Sequence, residues 1–377
     1  MYIQREVESA IKKSLFKGKI VIVYGARQVG KTTLVKKMAE SFGRPYGYLN
    51  CDELDILSQF QRAGNSVALR QMLGQNQLIV IDEAQRVKNI GLKLKLLIDN
   101  YPEIQLLVTG SSSFDLANEV SEPLTGRSEE FWLFPFSVRE LWKESDRITR
   151  ERQLEKWLIY GSYPGVWNLT SEEERAVKVK QLAANYLYKD VIKFNEIKNS
   201  ELVLKLLQAL ALQIGNEVSY NELAKTIEVS KQTVASYVEL LEKAFVIFAI
   251  RPFSGNMRQA LNKKRKIYFL DVGIRNAIIN NLNPMSIRDD GGRLWENFVV
   301  AEKYKQQLGL GYKTNLYFWR TYQGQEVDLV EDIGGKLIGW EIKLKGKRNK
   351  QPKDWGTYEN SSWKVVDKEN FWESVNF

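Results

Sequence analysis

An α/β fold with a parallel sheet in the N-terminal part is what the sequence predicts, on three observations. Short apolar runs rich in β-branched residues recur at 20–24, 46–49, 78–81, 106–108 and 131–134. Helical patterns such as Gly91–Asp99 fall between them. The first run passes through a glycine-containing turn directly into Lys31–Glu40, which reads as strand, loop, helix. Strands alternating with helices at this spacing argue a parallel sheet over residues 1–140.

The pattern then turns helical from Glu144 to Ala211, with a break at Gly161-Ser-Tyr-Pro-Gly165. Residues 217–270 read helix, turn, helix, and then two strands, Phe245–Ile250 and Lys266–Leu270. An amphipathic helix, Leu294–Gln307, follows Gly291-Gly292. Strand-like runs come after it at 315–320, 326–330 and 336–343, with a last one at 363–367. No internal repeat or low-complexity linker interrupts the chain.

Composition narrows the chemistry. A chain of 377 residues suits two or three domains, and 44% hydrophobic residues with a net charge of +9 describe a globular protein. There is no histidine. That excludes a Ser-His-Asp triad, a Cys-His couple, His-ligated zinc and an imidazole base. A single cysteine, Cys51, excludes an intrachain disulfide and suits a reducing cytosol. The segment Met1–Phe16 is charged throughout and lacks the apolar core of a signal peptide. No apolar run approaches the ~18 residues of a membrane span. A cytoplasmic protein that uses carboxylates, lysine, arginine, hydroxyls and a hard metal ion is the expectation.

Gly25-Ala26-Arg27-Gln28-Val29-Gly30-Lys31-Thr32 fits G-x-x-x-x-G-K-[ST] at every fixed position. Glycines let backbone N–H groups curl around a phosphate, and the helix that starts near Lys31 points its positive end there. Residues Gly25 to Thr33 form the candidate ATP loop. Lys31 is assigned to the β/γ-phosphates and Thr32 to Mg²⁺. In Leu78-Ile-Val-Ile-Asp82-Glu83 a doubly buried strand carries its charges at the C-terminal end. Asp82 is the candidate second Mg²⁺ residue and Glu83 the candidate base for the attacking water. Thr109 and Ser111–Ser113 end another apolar strand, as γ-phosphate sensors or as the cap of a helix near Asp115. Arg127 is a candidate arginine finger, with a surface salt bridge as its alternative.

Arg27–Thr32, Ile81-Asp-Glu-Ala-Gln85, Thr109–Ser113, Pro135-Phe-Ser137, Gly161–Gly165 and Trp295-Glu-Asn-Phe298 together resemble a prokaryotic family of AAA-type ATPases. In that family the ATPase module is fused to a C-terminal domain of unknown function. The resemblance covers essentially the whole chain. It implies an AAA-type P-loop core (1–143), a helical lid (144–211), a winged helix-turn-helix (212–285) and a small α/β restriction-endonuclease-like domain (286–377). It implies no particular substrate.

Tyr220–Leu241 matches a helix-turn-helix. Ala224 sits where the helices cross, Val229, Val234, Val238 and Leu241 face inward, and Ser230 caps the second helix. Lys231, Gln232, Thr233 and Ser236 point outward, as a recognition helix presents its first turns to a major groove. The turn position usually held by glycine is Glu228, a strained place for a side chain, and its acid would repel phosphate. A packing module between domains is the alternative reading.

Asp328 followed by Glu341-Ile342-Lys343 follows the D…(E/D)-x-K pattern of restriction-type nucleases. Asp328 ends the first arm of a hairpin turning at Gly334-Gly335, and Glu341 and Lys343 share a face of the second arm. Glu296, from the preceding helix, completes the acidic cluster. The carboxylates of Glu296, Asp328 and Glu341 would hold Mg²⁺ or Mn²⁺, and Lys343 would position or deprotonate water. The alternative is an ordinary cross-strand Glu–Lys pair on an inert nuclease fold. Two basic runs, Lys263–Lys266 and Lys343–Lys350, are candidate phosphate contacts or solvated loops. Residues 251–350 hold 19 Lys+Arg against 10 Asp+Glu, an excess equal to the chain's whole net charge.

Three functions are compatible with these residues. One is a Mg²⁺-dependent ATPase whose C-terminal half binds, and on one reading cleaves, DNA through residues 217–350. The second is an ATP-switched protein-interaction module with an inert nuclease-like domain. The third is a nucleic-acid regulator in which ATP only sets affinity. A homo-oligomer is required if Arg127 acts in trans.

Overall fold

A computed structural model describes residues 2–110, 123–142, 146–185, 200–254, 265–309, 314–346 and 350–375. The chain divides into two compact units. One is Met1–Phe134 with Lys243–Phe245, and the other is Pro135–Glu242 with Val246–Phe377.

In the first unit the apolar runs become β1 (Ile20–Tyr24), β2 (Tyr46–Asn50), β3 (Leu78–Asp82), β4 (Gln105–Gly110) and β5 (Ser128–Trp132). They form one sheet in the order β2-β3-β4-β1-β5, and every pair is parallel. β1, β3 and β4 are buried at every position, which is why their sequences are apolar without alternation. Because all five strands point the same way, the loops after β1, β3 and β4 open on one edge of the sheet, where ligands of open α/β sheets bind. The strand read from the apolar run 131–134 begins earlier, at Ser128. β5 is an edge strand, so half-exposed Ser128 and Glu129 and exposed Glu130 are tolerated there. Its track continues past Trp132, with Leu133 N–H donating to the Tyr24 carbonyl at 2.8 Å. Two helices between β2 and β3, Leu54–Arg62 and Ser66–Leu73, have no counterpart in the sequence reading.

In the second unit the helical stretch resolves into Arg147–Tyr160, Pro164–Trp167, Glu172–Asn185 and Ser200–Leu212. The helix-turn-helix forms from Tyr220–Thr226 and Lys231–Lys243. Ser230 caps the second helix, its Oγ accepting from Thr233 N–H at 3.0 Å. Val234, Val238 and Leu241 are buried and Val229 half-buried, while Lys231, Gln232 and Ser236 are exposed. Glu228 has φ 57°, the left-handed conformation its place in the turn implied.

β6 (Glu217–Val218), β7 (Ile247–Pro252) and β8 (Arg265–Phe269) precede the long helix Gly291–Gly309. β9 (Thr314–Arg320), β10 (Glu326–Ile333), β11 (Lys336–Ile342) and β12 (Ser361–Val366) follow it. These seven strands make one mixed sheet, ordered β12-β11-β10-β9-β7-β8-β6. A parallel pair, Arg251 with Tyr317 and Pro252 with Phe318, joins the strands after the helix-turn-helix to those of the terminal segment. The expected boundary at residue 285 therefore runs between strands that share a sheet.

Several motif residues of this unit tie backbone together. Asp271 accepts the Ser162 N–H at 2.8 Å and caps the helix Val272–Ile278 through the Ile274 N–H at 3.1 Å. A Cβ on Gly161 would lie 2.0 Å from the Asp271 carboxylate, so only glycine fits there. Burial raises the pKa of Asp271, with Lys305 opposing that shift. Lys305 donates to Glu302 at 2.7 Å and to the Phe136 carbonyl at 3.2 Å, and Glu302 accepts from the Val138 N–H. Asn297 bonds both the N–H and the carbonyl of Phe269. Pro135–Ser137 and Gly161–Gly165 thus meet in a buried polar network with Asp271, Glu302 and Lys305, while Asn297 of Trp295–Phe298 holds the Phe269 backbone.

Candidate functional site

The P-loop lies between β1 and the helix Lys31–Glu40. Gly25 is required by close approach, since a Cβ there would sit 2.1 Å from the Leu133 carbonyl oxygen. Gln28, at φ 61°, and Gly30, at φ 100°, turn the loop's N–H groups through left-handed conformations. Ala26 and Val29 are buried, Arg27 half-buried, and Gln28 and Thr33 exposed. Lys31 Nζ donates to the carbonyls of Gly25 at 2.8 Å and Ala26 at 2.9 Å, so its ammonium lies across the mouth of the loop.

Asp82 is the hub of the opposite wall. Its Oδ2 accepts from the Thr32 hydroxyl and the Tyr48 hydroxyl, each at 2.7 Å. Its Oδ1 accepts from the Thr109 hydroxyl, which in turn receives the Glu83 N–H at 3.1 Å. The sheet order explains the meeting: β4, which carries Thr109, stands between β1 and β3. Thr109 is fully buried and holds Asp82 and Glu83 together. Ser111–Ser113 and Asp115 lie outside the described residues. Glu83 adopts φ 54° and its carboxylate accepts from the Gln85 amide. A left-handed glutamate at a strand end is strain of the kind concentrated at functional sites. Burial and then Asp82 raise the Tyr48 pKa. Burial, with Asp82, Asp52 and Glu83 adding, pushes the Cys51 thiol up to about 12, so it is an inert core residue.

Two residues that support the site carry no sequence signal. Tyr48 is one. Arg5 is the other: 5% exposed, it donates to the Val29 carbonyl at 2.9 Å and the Phe134 carbonyl at 2.6 Å. A lone arginine ahead of the first strand matches no motif, and only the folded chain brings it to the loop.

Arg127 does not join this site within its own chain. It precedes β5, its carbonyl bonds Ile20 N–H at the start of β1, and the P-loop follows the other end of that strand. Five residues of strand separate them, roughly 16 Å. Its guanidinium pairs with Asp99 at 2.6 Å on the surface, the salt bridge that is the alternative to a finger.

In the second unit the structure gathers the expected terminal residues. Asp328 lies early in β10, not at its end, beside a β-bulge between Val327 and Val330 that re-aims the strand. Its Oδ2 accepts the Ile342 N–H at 2.8 Å. Lys343 donates to Glu341 at 2.7 Å. Glu296 accepts from Tyr268 at 2.7 Å and pairs with Lys266 at 3.3 Å, and Lys266 also pairs with Glu326 at 2.7 Å. Burial, then Glu296 and Glu341, push Asp328 up to about 7 against the opposing pull of Lys266. Lys266, expected from the sequence as a phosphate contact or part of a solvated loop, is instead 2% exposed and enclosed by acids. Its neighbours Lys263 and Lys264, and Lys347 and Arg348 of the second run, lie outside the described residues, while Lys345 and Lys350 are exposed.

Family models match three stretches of the chain. Residues 17–142 match the family model described as AAA domain. Residues 151–285 and 291–362 match two models described as domains of unknown function, DUF8612 and DUF4143. The N-terminal module is a P-loop ATPase domain of AAA type, followed by these two domains. Two relatives are uncharacterized proteins. One, of Mycobacterium tuberculosis, is 28% identical over 344 residues, 90% of this chain and 74% of its own. The other, of Methanocaldococcus jannaschii, is 27% identical over 373 residues, 89% of this chain and 77% of its own. Among solved structures, the Holliday junction branch migration motor RuvB of Thermotoga maritima is 19% identical, with a TM-score of 0.33, covering 65% of this chain and 89% of that one. No helix among the described residues is long and apolar enough to cross a membrane.

Proposed function

We propose that the chain is a Mg²⁺-dependent ATPase whose C-terminal unit binds nucleic acid. The observation that carries the first part is the convergence of Lys31, Thr32 and Asp82 at one edge of the sheet. The donor set fits the cofactor: backbone N–H groups and an ammonium for phosphates, a hydroxyl and a carboxylate for a hard cation. Thr32 and Asp82 would hold Mg²⁺, which neutralises charge on the phosphates. Lys31 exchanges its carbonyl partners for phosphate oxygens. Glu83, fixed by Thr109 and Gln85, orients the attacking water and takes its proton.

For the second part, the support is charge and shape. Lys266, Arg275, Arg288, Lys303 and Lys305 are neutralised within ion pairs by acids of the same segment, so the excess of 251–350 resides on its other side chains. Lys231, Gln232 and Ser236 are exposed on the helix that would meet a groove.

Thermal stability with and without ATP·Mg²⁺ tests the nucleotide site. At ~100 Kd the native chain should gain ~2.7 kcal/mol and Lys31→Ala none. An equal gain in Lys31→Ala rejects the assignment. Affinity for duplex DNA should fall steeply between about 50 and 200 mM salt. A flat response would favour the interaction-module reading.

A further inference from the structure

The pattern Asp328…Glu341-x-Lys343, with Glu296, is written for a divalent cation, and the residues around it do not fit one. We infer that Lys266 is the resident cation of this cluster and that it closes the site to Mg²⁺ and Mn²⁺. The inference concerns the nuclease-like part alone, and it limits the proposed nucleic-acid activity to binding without cleavage.

The charges are arranged around the lysine. Lys266 enters from β8, a strand outside the segment that carries the pattern, and its side chain is 2% exposed. Its Nζ lies 2.7 Å from Glu326 and 3.3 Å from Glu296. Tyr268, two residues along β8 and so on the same face, donates to the same Glu296 oxygen at 2.7 Å. Asp328 receives the Ile342 N–H and Glu341 receives Lys343. Each of the four carboxylates therefore has a protein donor.

A divalent ion needs several anionic or neutral oxygens converging on one point at about 2.0–2.6 Å. Here Glu296 and Glu326 converge on an ammonium, which brings three donors and a positive charge. That ammonium would face any metal bound between the same oxygens. No group of three His, Cys, Asp or Glu residues suited to a metal occurs among the described residues. An ammonium this enclosed persists only with its acids, which are themselves partly exposed at the edge of the cluster. E-x-K at the end of β11 can thus be read in full and still mark a site whose cation is covalently attached.

The test titrates Mn²⁺ alone, without nucleotide, into the full chain and follows free Mn²⁺ by its paramagnetic signal. Native protein and Asp328→Asn should bind equally, because the cluster takes none. Lys266→Met should gain about one equivalent, and Lys266→Met with Asp328→Asn should lose it again. Lys266→Gln, whose amide still donates to Glu326, serves if the Met variant does not fold, with melting temperature as the check. Native protein that binds an equivalent missing from Asp328→Asn overturns the inference, and that arm needs no Lys266 variant. A folded Lys266 variant that gains no Mn²⁺ overturns it as well. Because ATP and DNA are absent throughout, the outcome is independent of whether either is bound by the native chain.

Discussion

The Arg5 guanidinium donates to the carbonyl of Val29, in the middle of the P-loop, at 2.9 Å. Its second branch holds the Phe134 carbonyl, so a residue ahead of the first strand fixes the loop against the chain leaving β5. The backbone of Arg5 is itself anchored, its N–H donating to Glu8 at 2.7 Å.

Replacing Arg5 with Met should leave two buried carbonyls without this donor, at a cost of about 1–3 kcal/mol each where no water reaches them. Chemical denaturation should show that loss, and ATP titration should show weaker binding. Arg5→Lys should recover only part of both, since one ammonium replaces a two-branched donor.

Glu228 sits at φ 57° in the turn of the helix-turn-helix. Glu228→Gly should raise stability by about 1 kcal/mol through relief of that conformation. It should also strengthen DNA binding, because a negative charge leaves the proposed face. Denaturation and fluorescence anisotropy on one variant read both effects. Unchanged DNA affinity would place the turn away from the partner.

Asp328 supplies a pH dependence. Its folded value of about 7 lies above the ordinary carboxylate value, so the folded state holds a proton the unfolded state releases. The sign follows: this contribution is fully present below about pH 4 and is lost as pH rises through about 7, by up to about 4 kcal/mol. Asp328→Asn should flatten the stability profile over that window relative to the native chain. Parallel profiles would show that Asp328 titrates alike in both states.

Much of the nucleotide site was legible because its chemistry is local. Glycines, Lys31 and Thr32 sit within eight residues, and Asp82-Glu83 ends an unbroken apolar strand. The αL turn at Glu228 was legible for the same reason. What the sequence hid comes from sheet order and long-range contact. Tyr48 and Thr109 reach Asp82 only because β2 and β4 flank β3. Arg5 and Val29 are 24 residues apart. Arg127 reads from the sequence as a finger or a surface ion pair alike, and strand direction puts it at the far end of β1 from its own P-loop, paired with Asp99. Lys266 read as one cation in a basic run, and only the pairing of β7 with β9 brings its neighbouring strand to the terminal acids.

ATP turnover at the Gly25–Thr32 loop with Asp82 and Glu83 is the central expectation. Phosphate release and ATP binding measured on the same samples of native protein, Lys31→Ala and Glu83→Gln test it most directly. Native protein should bind and hydrolyse ATP, Lys31→Ala should do neither, and Glu83→Gln should bind with turnover reduced about 10²–10⁴-fold. Hydrolysis at the native rate in Glu83→Gln, or retained binding and turnover in Lys31→Ala, would contradict the assignment.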